Sequence, residues 1–318
     1  MKRILLAACA ALVLCAQGAL AQTPRDAFRT ALDAVSAGQL EQAREQLAAL
    51  VDYPLRPYLE YRILRASLDE VPVGRTLAFE RDWPHFYLAG ALREAKLHQL
   101  AEQERWSDFL GAHRPETDNE VTLGCHRLHA EYRLEQPSGQ WLTLAREKWL
   151  SGSSRPEACD PVFDVLYERQ WIDEDHRRTR IRLAVEQGNL GLARYLARGQ
   201  SQSVREYLAL LEQARSEPLA YLTGEVADGG SGVDGRNAVR VAAFRWAARE
   251  DLDRAMALAD LLPESWRLSV AEQAGIWREI GLRAAWRHRP EALGWLARVP
   301  DDHADETVRA WRVRAALR

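Results

Sequence analysis

Long apolar runs are missing from all but the start of this 318-residue chain. Beyond residue 21 no run approaches the roughly 20 apolar residues that a membrane-crossing helix needs. Sustained alternation of β-branched and polar residues is missing as well, which leaves strands absent or incidental. Cysteine is scarce, and two of the four, Cys9 and Cys15, fall in the first 21 residues. Past that point lysine is reduced to Lys96 and Lys148; nearly all positive charge is arginine, which reads as codon bias rather than function. There is no excess of positive charge. The formal net charge is −3 and is spread along the chain, which speaks against nucleic acid or an anionic membrane as a partner.

Familiar chemical signatures are also lacking. No Gly-x-Ser-x-Gly elbow, His-Glu-x-x-His motif or dinucleotide fingerprint occurs. His98, His113, His176, His288 and His303 have no serine or cysteine nucleophile signature nearby.

What is present begins with an export signal. Lys2 and Arg3 precede the uncharged apolar run Ile4 to Ala16, and Ala19-Leu20-Ala21 supplies small residues at the positions a signal peptidase reads. Cleavage is expected between Ala21 and Gln22, with the periplasm as destination. The alternative is a lipoprotein box ending at Cys9, which leaves only Ile4 to Ala8 as a hydrophobic segment. Cys125 and Cys159 then remain as an even pair in an oxidising compartment, which favours a disulfide.

Helical periodicity fills the rest. Phe28, Ala31, Leu32 and Val35 share one stripe, and Leu40, Ala43, Leu47 and Leu50 a second one after a break at Gly38, with the spacing of amphipathic helices. Similar runs recur to Ala304–Leu317, where Val308, Trp311, Val313 and Ala315 are apolar. Short breaks force neighbouring helices antiparallel. A weak echo repeats: Gly38 leads to Ala43, Gly188 to Ala193 and Arg287 to Ala292, each five residues on. The expected fold is all-α, a superhelical solenoid of short antiparallel hairpins, tetratricopeptide-like but irregular. Residues 22–223 and 237–318 read as its two parts. Between them 224–236, with glycines at 224, 229, 230, 232 and 235, reads as a surface loop. No Gly-Lys-Ser/Thr follows it, so it is not a phosphate loop.

Three constellations invite chemistry. Cys125, His126 and His129, with Cys159, resemble a metal cluster, but metal-binding cysteines come in closely spaced pairs and an exported pair oxidises. Six of eleven tryptophans (Trp246, Trp266, Trp277, Trp286, Trp295 and Trp311) lie in the last quarter, mostly in phase with aliphatic residues, so they read as core with one or two left for an open groove. Glu264-Ser265 follows Leu262-Pro263 and reads as a helix end and the start of the next. The expectation is no catalytic residue, no metal ligand and no cofactor site.

One block, Asp52-Tyr53-Pro54-Leu55-Arg56-Pro57-Tyr58-Leu59-Glu60-Tyr61-Arg62, resembles a segment near the start of soluble lytic murein transglycosylases. Three more agree in order and spacing. They are Glu147–Gly152 running to Pro156–Asp160, Arg180–Ala184 with Gly188-Asn189, and Trp295–Arg298. The resemblance runs from about Asp26 to the end and covers the family's amino-terminal superhelical part, which forms a ring with a linker domain. The family's chemistry sits in a separate carboxy-terminal lysozyme-like domain, where a Glu-Ser pair precedes Gly-Leu-Met-Gln and a later Tyr-Asn. None of that follows Glu264-Ser265, so no catalytic glutamate carries over.

The resemblance implies non-hydrolytic cleavage of peptidoglycan between N-acetylmuramic acid and N-acetylglucosamine, giving a 1,6-anhydro product without metal or nucleotide. For this chain two readings follow. It is the scaffold part of such an enzyme, continuing beyond Arg318 in a longer protein, with glycan strands and cell-wall synthesis or division proteins as partners. Alternatively it is a stand-alone periplasmic helical-repeat protein that binds a protein or glycan without cutting it.

Overall fold

The structure, a computed structural model, describes residues 23–135, 137–228 and 235–317. The expected signal peptide lies outside them. Among the described residues every regular element is helical: eighteen α-helices and two short 3-10 turns. None is long and apolar enough to cross a membrane.

The chain divides into two compact units, the boundary falling between Ser138 and Gly139. The first holds α1 (Pro24–Ser36), α2 (Leu40–Ala49), α3 (Arg56–Ala66), α4 (Val73–Asp82), α5 (Ala89–Glu102), α6 (Trp106–Ala112) and α7 (Val121–Arg133). The second begins with α8 (Trp141–Trp149), α9 (Asp160–Glu168), α10 (Glu174–Glu186), α11 (Leu190–Ala197), α12 (Gln202–Ser216) and α13 (Pro218–Asp228). It ends with α14 (Arg236–Glu250), α15 (Leu252–Ala259), α16 (Val270–Trp286), α17 (Ala292–Ala297) and α18 (Glu306–Ala316).

Within each unit the substantial helix contacts join a helix to the next or to the next but one. That is the nearest-neighbour packing of a solenoid. The core of the first unit is accordingly divided. Phe28, Ala31, Leu59 and Ile63 close one cluster over α1 to α3. Phe79, Ala89 and Leu92 close a second over α4 and α5, and Leu100, Phe109 and Leu123 a third over α5 to α7.

Polar residues set the helix starts. The side chains of Thr23, Asp173, Ser201, Asp251 and Asp305 accept the amides of Asp26, His176, Val204, Arg254 and Val308, satisfying donors that have no partner inside the helix. Ser269 and Glu272 form a reciprocal capping box at α16. Left-handed residues set five of the ends. Gly38, Glu104, Gln170, Gly188 and His288 all have positive φ. After each, the next amide reaches back five residues: Gln39 to the carbonyl of Ala34, Arg105 to Leu100, Trp171 to Leu166, Asn189 to Ala184 and Arg289 to Ala284. This is one helix-ending turn used repeatedly, and it underlies the weak echo in the sequence. In the third copy the left-handed residue is His288, one position after Arg287. Ala43, Ala193 and Ala292 are all buried where the following helix comes close.

Three helices have no counterpart in the apolar periodicity: α4, α6 and α13. The last runs through Gly224 to Asp228, so the first five positions of the expected glycine-rich loop are helical; residues 229–234 lie outside the described residues. Of the apolar positions on α18, Val308 is buried, Trp311 and Ala315 are half-buried, and Val313 is exposed.

Candidate functional site

Two of the family-like blocks of the second unit meet at one joint. Trp149, at the end of α8, is fully buried and its indole Nε1 donates to the Tyr167 hydroxyl of α9 at 2.8 Å. The Arg180 guanidinium of α10 lies 4.7 Å from the Trp149 ring centroid and 5.7 Å from that of Phe163, a cation–π stack in a desolvated place. Between α8 and α9 the chain presses Gly152 onto the backbone of Leu183, and Asn189 Nδ2 donates to the Gly152 carbonyl at 2.7 Å. The block Glu147–Asp160 and the block Arg180–Asn189 are therefore two halves of one contact.

That joint borders an open groove of about 640 Å³ lined by α9, α10, α11 and the segment before α9. Arg155, Asp160, Asp164, Tyr167, Arg180 and Tyr195 carry its polar and aromatic chemistry. Tyr167 and Tyr195 are 42% and 66% exposed, whereas Arg180 is 6% exposed. Arg155 Nε donates to the Lys148 carbonyl at 2.8 Å, and Arg180 Nε to the Ser151 carbonyl at 3.3 Å. Burial lowers the pKa of both guanidinium groups, and Arg155 adds repulsion at Arg180. Sequence reasoning missed this groove; its one signal was the presence of both arginines beside the family-like blocks.

The candidates from the sequence are placed as follows. Cys125 and Cys159 are fully buried and each is disulfide-bonded, so Cys125 offers no thiolate to a metal. His126 and His129 pack on Trp106, with centroids 6.2 and 4.9 Å apart, and burial holds both imidazoles below their ordinary pKa. Glu94, His98 and Glu120 bring ligand-type atoms within 4.8 Å of one another, but Glu120 already accepts the amides of Thr122 and Leu123 at the start of α7.

Of the eleven tryptophans, Trp106, Trp141, Trp149, Trp246, Trp266 and Trp295 are buried, and Trp286 is 48% exposed. Glu264 is exposed on the 3-10 turn Glu264–Trp266, ahead of α16 rather than at its start. A general acid for glycoside cleavage needs a raised pKa. Among the described residues the carboxylates that are shifted go the other way. Backbone amides of His176 and Val308 hold down Asp173 and Asp305, and the Ser203 hydroxyl holds down Glu174. In Asp118 and Glu120 burial pushes upward and is outweighed, by hydrogen bonds from Arg93 and Thr122 respectively.

No family model matches the sequence. The chain is 29% identical over 280 residues to the soluble lytic murein transglycosylase of Escherichia coli K12, covering 88% of this chain and 40% of that protein. It is also 29% identical over 249 residues to that of Salmonella typhimurium, covering 78% and 37%. Among solved structures, an inactive mutant of the lytic transglycosylase of Pseudomonas aeruginosa superposes with a TM-score of 0.77 at 27% identity, over 92% of this chain and 47% of that one. The complex of the 70-kDa soluble lytic transglycosylase with bulgecin A gives 0.60 at 25% identity, over 93% and 45%. The chain thus spans about 40% of the length of the relatives it matches.

Proposed function

We propose that this chain, which belongs with the soluble lytic murein transglycosylases in sequence and in helical fold, is the superhelical scaffold portion of a peptidoglycan lytic transglycosylase acting in the periplasm. The single observation that supports this reading is an alignment spanning 88% of the chain but 40% of the relative. The two longest blocks of the resemblance are Asp52–Arg62 and Glu147–Asp160, and the second of these joins α8 and α9 to α10. In this reading glycan-strand cleavage belongs to a catalytic domain outside this sequence, and the helices hold or guide the strand. Export follows cleavage at Ala21/Gln22, and cell-wall synthesis or division proteins are the further partners.

The chemistry of this chain agrees with holding rather than cutting. Glu264 is exposed on a short turn, not set in the partly apolar cleft that a general acid for glycoside cleavage occupies. Purified chain should co-sediment with isolated sacculi and release no anhydro-muropeptides, with Glu264→Gln behaving identically. Anhydro products from the unmodified chain that vanish in Glu264→Gln would overturn the reading, as would failure to sediment.

A further inference from the structure

Among the described residues three arginines are buried: Arg93, Arg180 and Arg240. Two of them have carboxylate partners. Arg93 pairs with Glu80 and Asp118, and Arg240 with Glu225. Arg180 has none: among the described residues no carboxylate oxygen comes within 4.0 Å of it, and its one hydrogen bond goes to a carbonyl. Another cation, Arg155, repels it and is likewise without a carboxylate partner among the described residues. A buried ion is costly unless paired, and arginine does not discharge at neutral pH. Stacking on Trp149 and Phe163 relieves part of that cost; the guanidinium nitrogens facing the groove are left with unused donors.

The surroundings describe what would complete the pair. The exposed Tyr167 and Tyr195 rings flank the two arginines, and Tyr167 is held in place by the indole of Trp149. Flat apolar ring faces beside hydrogen-bonding groups suit the faces of a sugar. Asp160 and Asp164, one turn apart on α9, are exposed and form no ion pair with either arginine. They sit as acceptors for hydroxyl or amide donors on the same ligand and would repel an anion placed against them. The acidic group must therefore go to the arginine side, where a planar carboxylate meets guanidinium forks.

The geometry points to this groove as a binding site for a carboxylate-bearing amino sugar, with the carboxylate on Arg155 and Arg180 and the ring against Tyr167 and Tyr195. It rests on the scaffold reading for the source of that sugar, since N-acetylmuramic acid differs from N-acetylglucosamine by its lactyl carboxylate. A peptide-free strand presents that carboxylate directly; a peptide-bearing one carries its carboxylate further out.

The full chain should be titrated, by calorimetry or amide chemical shifts, with N-acetylmuramic acid, N-acetylmuramoyl dipeptide, N-acetylglucosamine and lactate. At least one of the two acidic sugars is expected to bind, with N-acetylglucosamine and lactate each about tenfold weaker, the loss of one charge-assisted contact or of the ring contact. The tighter acid identifies the source of the carboxylate. Arg155→Gln, at a half-buried position, should bring the acid down to the N-acetylglucosamine level, while Tyr195→Ala weakens acid and neutral sugar together; far-UV circular dichroism checks that both variants fold. Equal binding of acid and neutral sugar, no binding at all, or an unchanged Arg155→Gln overturns the site.

Sacculus sedimentation separates the two readings. If the chain sediments and the sugars do not bind, the groove is wrong and the scaffold reading stands. If the acidic sugar binds with the expected variants but sacculi are ignored, the scaffold reading falls and the site stands.

Discussion

Gly152 lies against the backbone of Leu183 so closely that a methyl group on its α-carbon would come 2.6 Å from the Leu183 carbonyl carbon. The obstacle is main chain in the last turn of α10, which cannot swing aside. The next nearest atom, Gln187 Cδ at 2.7 Å, belongs to a side chain that can move. Gly152 is required here for close approach.

Gly152→Ala should therefore push the segment 150–155 off α10 and break the Asn189 bond to the Gly152 carbonyl. Overpacking against backbone is expected to cost about 3 kcal/mol and to lower the melting temperature. A melting temperature within a degree of the unmodified chain would show that the segment and α10 slide apart freely.

Much of this was legible in sequence, for a physical reason. The block Asp52–Arg62 reads strongly because most of its residues have specific jobs. Tyr53 packs at a tilt against Phe28, Arg56 donates to the Leu47 carbonyl, and the buried Glu60 takes Arg75 and the Trp83 indole. Apolar stripes likewise marked most helices, since many of them bury one face more than the other. The seven-residue helix α6 escaped, and α13 did so because Gly224 resembles loop composition. The groove escaped because Arg155, Tyr167 and Tyr195 lie on different elements, and only the folded joint brings them together. The disulfide was legible too: Cys125 and His129 share one face of α7, but Cys125 is disulfide-bonded, as an exported cysteine pair favours, and His129 meets a tryptophan ring.

The repeated helix-ending turn makes its own prediction. Glu104 and Gln170 occupy the left-handed region with φ of 52° and 56°, where an L side chain costs about 1 kcal/mol and glycine costs little. Both are exposed, so little packing is lost. Glu104→Gly and Gln170→Gly should each stabilise by about 0.5 kcal/mol, the gain being reduced by the extra freedom of glycine in the unfolded chain. The reverse change at the same turn, Gly38→Ala, with φ of 74° and open space around its α-carbon, should destabilise by about 1 kcal/mol. Opposite signs at equivalent positions are the test; a destabilising Glu104→Gly would mean that the turns are not equivalent.

Acid should act first on the first unit, through Asp118. Asp118 is buried, and its carboxylate pairs with the buried Arg93 and accepts the Arg114 amide at 2.7 Å. Burial pushes its pKa up, but the hydrogen bonds from Arg93 and Arg114 win and hold it below the usual carboxylate value. A carboxyl that is more acidic folded than unfolded binds its proton more readily in the unfolded chain. Its contribution is thus complete above the unfolded pKa of about 3.9 and is lost as pH falls through the lower folded value. Stability of residues 89–133 should fall steeply below about pH 4. Asp118→Asn should cost about 3 kcal/mol at pH 7, the low end for a buried ion left short of a partner, because Glu80 still faces Arg93. It should also flatten that part of the acid profile. Hydrogen exchange of α5 to α7 between pH 7 and pH 4, with melting curves carried below pH 3, reads both effects. An Asp118→Asn variant as stable as the original at pH 7, or one that keeps the full acid slope, would place the acid-sensitive group elsewhere.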